Sequence, residues 1–246
     1  MTTTDLDTPA RALAIGAHPD DIEFGCGGTL AKWALQGCEI FHLVLTDGSK
    51  GSWDAASDAA ALVQCRHEEQ RAAQRALGGH GGVTFLDWPD GELEAGLYQR
   101  LQVAACIRRC APDVVLGHDP WKRYRIHPDH RNAGWLTTDG VVAARDPLFF
   151  PELGLPPHRP RTILLFEADD ADHLEDISAT FDTKLAALLC HRSQLRSTMG
   201  IDAATGSPRY EEQLGAFEAR LRQEAVDAAG TSGILLAESF KRIDDR

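Results

Sequence analysis

Four times along this 246-residue chain a short apolar run ends in a polar cluster, and that repeated pairing is the strongest constraint on its fold. ALAIGAH (12–18) runs into HPDD, EIFHLVLT (39–46) into TDGSKGSWD, VTFLDW (83–88) into PDGEL, and DVVLGH (113–118) into HDPWKRYRIHPDH. Short apolar runs closed by turn residues read as buried strands. Helical patterns at 24–36, 58–77 and 98–110 lie between them, stopped by Gly37, by Gly78-Gly79 and by Pro112. Strands alternating with helices of this length predict an α/β fold: a Rossmann-like, mainly parallel sheet with helices on both faces. Such sheets bind ligands beyond the carboxyl ends of their strands. All four polar clusters fall there, although hydrophobicity locates the strands and chemistry locates the clusters.

Further on, TILLFEA (162–168) and GILLAESFKRI (233–243) read as strands, and 177–190 and 210–228 as helices. The Pro-rich stretch 147–160 is a connection too short for a domain linker, so 1–246 reads as a single domain, with the polar residues 1–10 expected to fray. The glycines at 25, 27 and 28 are spaced GxGG rather than GxGxxG, which demotes dinucleotide binding.

The 37 acidic side chains outnumber 25 basic ones, for a formal charge of −12, and disfavour a nucleic-acid partner held by bulk charge. No apolar run approaches the roughly 20 residues that span a bilayer, and the N-terminus lacks the basic and apolar regions of a secretory signal. The expected location is the cytoplasm, with the six cysteines as reduced thiols packed mostly in the core.

Two segments at strand ends carry metal-binding chemistry: His18-Pro19-Asp20-Asp21 and His127-Pro128-Asp129-His130. A catalytic zinc usually takes three protein ligands from His, Asp or Glu and leaves one position open. His18 and Asp21, three apart at a strand-to-helix turn, can face one point, and a histidine from the second segment completes a His2Asp set. Either tetrapeptide alone is equally well read as a helix cap or a Pro-fixed turn. Their occurrence together favours the metal. Spacing leaves open whether His127 or His130 is the third ligand.

These segments, with LTDGSKGSWD (45–54), RHEEQRAAQRALG (66–78), FLDWPDGEL (85–93), HRSQ (191–194) and AESF (237–240), resemble the PIG-L/LmbE-like N-deacetylases, which include the N-acetylglucosaminyl-phosphatidylinositol deacetylases and those of mycothiol and bacillithiol synthesis. The resemblance implies that His18, Asp21 and His130 bind zinc and that Asp20 is the general base. It further implies that His127 stabilises the oxyanion and helps protonate the leaving amine, with Asp129 orienting His127. Arg66 and Asp90 match positions that bind sugar hydroxyls. Their plainer readings are a helix-face ion pair of Arg66 with Glu68 or Glu69, and a Pro-Asp-Gly turn at Asp90.

The implied activity is zinc-dependent removal of an N-acetyl group from an amino sugar or glycoside. Other divalent metals suit the same ligands. The partner is then a small N-acetylated sugar, and a homo-oligomer is compatible with such a sheet. Competing readings are an amidase cleaving a larger acyl or cysteinyl amide, and a sugar-binding protein without activity. One departure stands out: Arg125 occupies the place where some relatives put a catalytic tyrosine, with Tyr124 one residue earlier. The basic run Lys122, Arg123, Arg125 and Arg131 reads either as a solvated loop or as an anion subsite. His118 sits at a strand end facing the pocket, whereas His42 and His191 are read as packing residues.

Overall fold

The computed structural model describes residues 2–244 as eight strands and six α-helices. In chain order they are β1 (Thr3–Thr4), β2 (Arg11–Gly16), α1 (Asp21–Leu35), β3 (Glu39–Thr46), α2 (Ala59–Ala76), β4 (Val83–Trp88), α3 (Leu97–Cys110) and β5 (Val114–His118). There follow α4 (Pro128–Arg145), β6 (Thr162–Phe166), β7 (His173–Asp176), α5 (Phe181–Leu188), α6 (Pro208–Ala229) and β8 (Ala237–Asp244).

The strands form one sheet in the order β1-β7-β8-β6-β5-β2-β3-β4. From β4 to β6 every pairing is parallel, and β8 then runs antiparallel to both β6 and β7. The expected mainly parallel sheet is therefore present, with an antiparallel strand near one margin. Alternate residues of the central strands feed two cores. Leu13, Ile15, Leu43 and Val115 pack toward α3 and α4, while Ala12, Ala14, Val44 and Leu116 pack toward α1 and α2. Burial on both faces is why these strands read as unbroken apolar runs.

Chain order reverses between β2 and β5, since β3 and β4 lie to one side and β6 to the other. That reversal opens a crevice at the carboxyl ends of the two strands. HPDD leaves β2 at this point, and the 119–127 loop leaves β5 beside it and leads into α4.

Three expectations need correction. Residues 3–4 do not fray but pair with β7, and Asp5 and Leu6 are tied down by Lys32, Asp176 and Glu175. The 177–190 helix shrinks to Phe181–Leu188, because Asp176 caps a turn through Ser178 and the backbone N–H of Thr180 donates to the carbonyl of Ile177. Of the six cysteines, Cys26, Cys38 and Cys106 are buried, while Cys65 is exposed and Cys110 and Cys190 are half-buried.

Helix α4 went unread in the sequence, yet its signals are present. Pro128 occupies the first helical position, and Ala133, Leu136, Thr137, Gly140, Val141 and Ala144 are buried at three- and four-residue spacing. Gly134 lets α4 approach the end of β5: a Cβ there would lie 2.8 Å from the His118 carbonyl oxygen and 2.7 Å from the Pro120 nitrogen. This contact brings His130, one turn earlier, beside His118.

Candidate metal centre and active site

The crevice is a cleft of about 670 Å³ lined by His18, Asp20, Asp21, His127 and His130 together with Lys50, Arg66, Asp90 and Gln194. A volume of this size suits a small-molecule ligand. Of the site residues expected from the sequence, His18, Asp20, Asp21, Arg66, Asp90, His127 and His130 line this cleft and Asp129 bonds His18, although several have partners other than those expected.

His18 Nδ1, Asp21 and His130 Nε2 converge. His18 Nδ1 is 3.4 Å from Asp21 Oδ2, His130 Nε2 is 3.3 Å from Asp21 Oδ1, and the two ring nitrogens are 3.3 Å apart. Ligands about 2.0–2.1 Å from a tetrahedral ion are separated by about 3.3–3.4 Å, so this donor set has the size of a zinc site. His127 stacks on His130 at 4.6 Å, and its nitrogen also forms a candidate metal-holding group with His18 and His130 but makes no contact with Asp21 of the kind His130 makes. The convergence thus supports His130 as the third ligand.

Acid–base partners favour the same assignment. His18 Nε2 lies 3.0 Å from Asp129 Oδ2 and 3.2 Å from Asp90 Oδ1, so Nδ1 is the nitrogen turned toward Asp21 and His130. Burial alone would raise the pKa of Asp21, but the charges of His130 and His118 hold it well below the usual carboxylate range. His118 adds a further nitrogen, with Nε2 3.2 Å from Asp21 Oδ2 and Nδ1 3.2 Å from Glu167. Asp21, His118 and His130 form a second group with metal-ligand geometry, so the pocket-facing reading of His118 holds.

Asp129 does not orient His127. Its carboxylate is committed to His18 Nε2 and to the backbone N–H groups of Gly91 (2.6 Å) and Leu93 (3.2 Å). His127 Nδ1 is buried with no hydrogen-bond partner among the described residues. The reason is the helix: His127 caps α4 while Asp129 sits in its first turn, turned toward the β4–α3 loop.

Asp20 stands at the N-terminus of α1 with φ of 105°, a left-handed conformation that Asp tolerates better than most residues. Its carboxylate is buried, which lifts its pKa to about 6 against the opposing pull of Arg66. Arg66 is itself buried. It donates to the carbonyl oxygens of Pro19 (2.5 Å) and Gly48 (2.9 Å) and lies 3.5 Å from Asp20 Oδ2. The expected helix-face pairing of Arg66 is absent, because Glu69 accepts from Ser193 instead. Asp90 accepts from the Lys50 backbone N–H as well as facing His18, so it is more than a turn residue.

A buried polar layer behind Asp20 was not legible in the sequence. The Asp20 N–H donates to Gln70 Oε1 (2.9 Å), Gln70 Nε2 donates to Glu23 Oε1 (2.7 Å), and Glu23 Oε2 meets His191 Nε2 at 3.2 Å. His42 sits against Gln70 and Glu23, and burial depresses its pKa to about 4. His42 is therefore neutral when folded and ionises near pH 6.5 when unfolded. Stability is full above pH 6.5 and is lost as pH falls toward 4, by about 2 kcal/mol at pH 5. His191, raised by Glu23, acts in the opposite direction. In urea titrations at pH 7 and pH 5, His42→Gln is expected to lose about 2 kcal/mol less than the parent over that interval. Equal losses in the two proteins would exclude a buried neutral His42.

The basic run is spent within the protein. Arg125 pairs with Glu167 (2.5 Å) and lies 2.7 Å from His130 Nδ1, Arg123 pairs with Asp169 (3.2 Å), and Arg131 bonds the carbonyls of Arg125 and Ile126. These internal pairings favour the plainer loop reading of the run over an anion subsite. Tyr124 points to solvent, 94% exposed, and contributes nothing to the cleft.

Among the described residues no helix is long and apolar enough to cross a membrane. Comparison with known proteins matches residues 13–141 to the family model "PIG-L: GlcNAc-PI de-N-acetylase". The chain is 35% identical over 187 residues to diacetylchitobiose deacetylase of Thermococcus kodakarensis, covering 75% of this chain and 70% of that protein. The N,N'-diacetylchitobiose deacetylase structure from Pyrococcus horikoshii superposes with a TM-score of 0.83 at 29% identity, over 96% of this chain and 84% of the other. GalB of Pseudomonas putida KT2440, a 4-carboxy-2-hydroxymuconate hydratase, superposes with a TM-score of 0.75 at 25% identity, over 96% and 97% of the two chains. The family motifs, the sheet order and the His/Asp cluster at its switch point agree, and the chain belongs to the PIG-L de-N-acetylase family.

Proposed function

We propose that the protein is a metal-dependent N-deacetylase that removes the acetyl group from a small N-acetylated amino sugar or glycoside, with zinc as the ion. The observation that carries this reading is the convergence of His18, Asp21 and His130 at tetrahedral-edge distances beside the buried carboxylate of Asp20. A divalent ion held by these three residues supplies Lewis acidity and makes water nucleophilic near neutral pH.

The other roles belong to the chain. Asp20 takes the proton of the attacking water, and Arg66 holds it in place through Pro19 and the carboxylate itself. His127 lines the cleft beside His18 and donates from its ring to the carbonyl oxygen as charge develops and then to the leaving nitrogen. Asp90 and Arg66 also line the cleft, where sugar hydroxyls bind. Supporting the substrate class are the deacetylases of N-acetylated sugars among the relatives.

The test is acetate release from N-acetylglucosamine and diacetylchitobiose by the purified protein. Release is expected to fall by more than tenfold with a chelator and to return with zinc. Hydration of 4-carboxy-2-hydroxymuconate, run in parallel, is expected to stay at background. Background acetate release with one zinc bound per chain overturns the reading.

A further inference from the structure

Beside the reaction cleft lies a second chamber of about 190 Å³, between α1, α5, α6 and β8. The two share Phe24, Gly25, Glu167 and Glu224 as lining, so the chamber adjoins the cleft at the first turns of α1. Its inner walls are apolar: Phe24, Ile177, Phe181, Leu221 and Ala225, with Ala228 at the edge. The charges at its base are already satisfied. Lys184 Nζ is bonded to Glu238 (2.6 Å) and to the Phe24 carbonyl (2.8 Å), while Glu238 also accepts from Gly28, Thr29 N–H and the Thr29 hydroxyl. An apolar occupant therefore leaves no buried charge unpaired.

We infer that this chamber holds the aliphatic tail of an N-acyl group, so that the protein hydrolyses medium-chain N-acyl amino sugars as well as acetyl ones. This rests on the proposed amide hydrolysis and extends it. The cleft itself separates the two halves of such a substrate. Lys50, Arg66, Asp90 and Gln194 give the cleft hydrogen-bonding groups that suit sugar hydroxyls. The apolar chamber meets the cleft at Phe24 and Gly25, on the first turn of α1 that begins with Asp21. A water's share of liquid volume is about 30 Å³ and a methylene is of similar size, so the chamber takes roughly six methylenes beyond the acetyl unit. In the reaction the C–N bond breaks, the oxygen of water joins the acyl carbon, and a proton passes to the departing nitrogen. The products are the fatty acid and the free amino sugar.

The experiment compares N-acetyl-, N-octanoyl- and N-dodecanoylglucosamine in the parent, Ala228→Phe and Ala225→Leu. Enclosing a methylene is worth about fourfold in affinity. The octanoyl substrate is expected to have a KM at least about tenfold below the acetyl one, with no further gain at dodecanoyl. Filling the chamber is expected to erase that advantage and leave acetyl turnover within about twofold. Calorimetric binding of N-octanoylglucosamine to chelator-treated protein, where no turnover occurs, is expected to weaken by the same factor in the filled variants. Loss of all amide turnover with this binding difference intact would reject the hydrolase reading and keep the chamber. Acetyl turnover with no chain-length preference, or equal octanoyl binding in all three proteins, overturns the inference. So does a filling effect seen for the octyl glycoside of N-acetylglucosamine but not for the N-octanoyl sugar, since the chamber would then hold the aglycone.

Discussion

Asp20→Asn is expected to lower kcat by about 10²–10⁴-fold, the usual contribution of a positioned general base, while one zinc per chain remains bound. Asparagine is the informative replacement because of the backbone. At φ of 105° most side chains are strained, and Asn is among the few residues that tolerate this region. Alanine would confound loss of the base with distortion of the turn that also carries His18 and Asp21. Asn keeps the size of the side chain and the hydrogen bond from the Asp20 N–H to Gln70, and it removes only proton acceptance. Metal content by atomic absorption separates the two effects. Full turnover in this variant, or loss of zinc in parallel with loss of turnover, would reject Asp20 as the base.

The parts of this molecule that were legible in its sequence are those fixed by local pattern. Strands buried on both faces must be apolar throughout, so β2, β3 and β5 stand out, and their polar ends mark the rim of the sheet; the edge strand β4 is legible from its own short apolar run. Helix α4 was hidden because its first turn is made of site residues. His127, Asp129 and His130 look like a functional loop, and the apolar spacing that identifies the helix begins only at Ala133. The layer of Gln70, Glu23, His191 and His42 had no local signature at all. These four side chains come from α2, α1, the turn after α5 and β3, and only the tertiary fold reveals them as one network. The HRSQ motif did contain a signal, but a motif says that His191 matters without saying that it neutralises Glu23. Pairings across the fold failed for the same reason. The family resemblance implied Asp129 for His127, whereas the rise of α4 carries that carboxylate to His18, 111 residues away.

That exchange of partners has a measurable consequence. Asp129→Asn is expected to weaken zinc binding about 10–100-fold, the usual cost of losing a carboxylate that orients a ligating histidine. Asp129 is fully buried and accepts three hydrogen bonds, from His18 Nε2 and from the backbone of Gly91 and Leu93. An amide presents an NH2 group in place of one oxygen, so a donor faces a donor and at least one buried N–H goes unpaired. The associated loss of stability is about 1–3 kcal/mol. With His18 no longer held by Nε2, its Nδ1 lone pair is no longer aimed at Asp21 and His130, and the deficit falls on affinity for the ion. Raising free zinc is therefore expected to restore kcat to within a few-fold of the parent. Had Asp129 served His127 instead, the result would be reversed: unchanged zinc affinity, and a kcat that stays low at saturating metal because the donor to the carbonyl oxygen is misaligned. Zinc titration monitored by calorimetry, with kcat read at each zinc concentration, decides between the two, and a kcat defect that excess zinc does not repair would reject the His18 assignment.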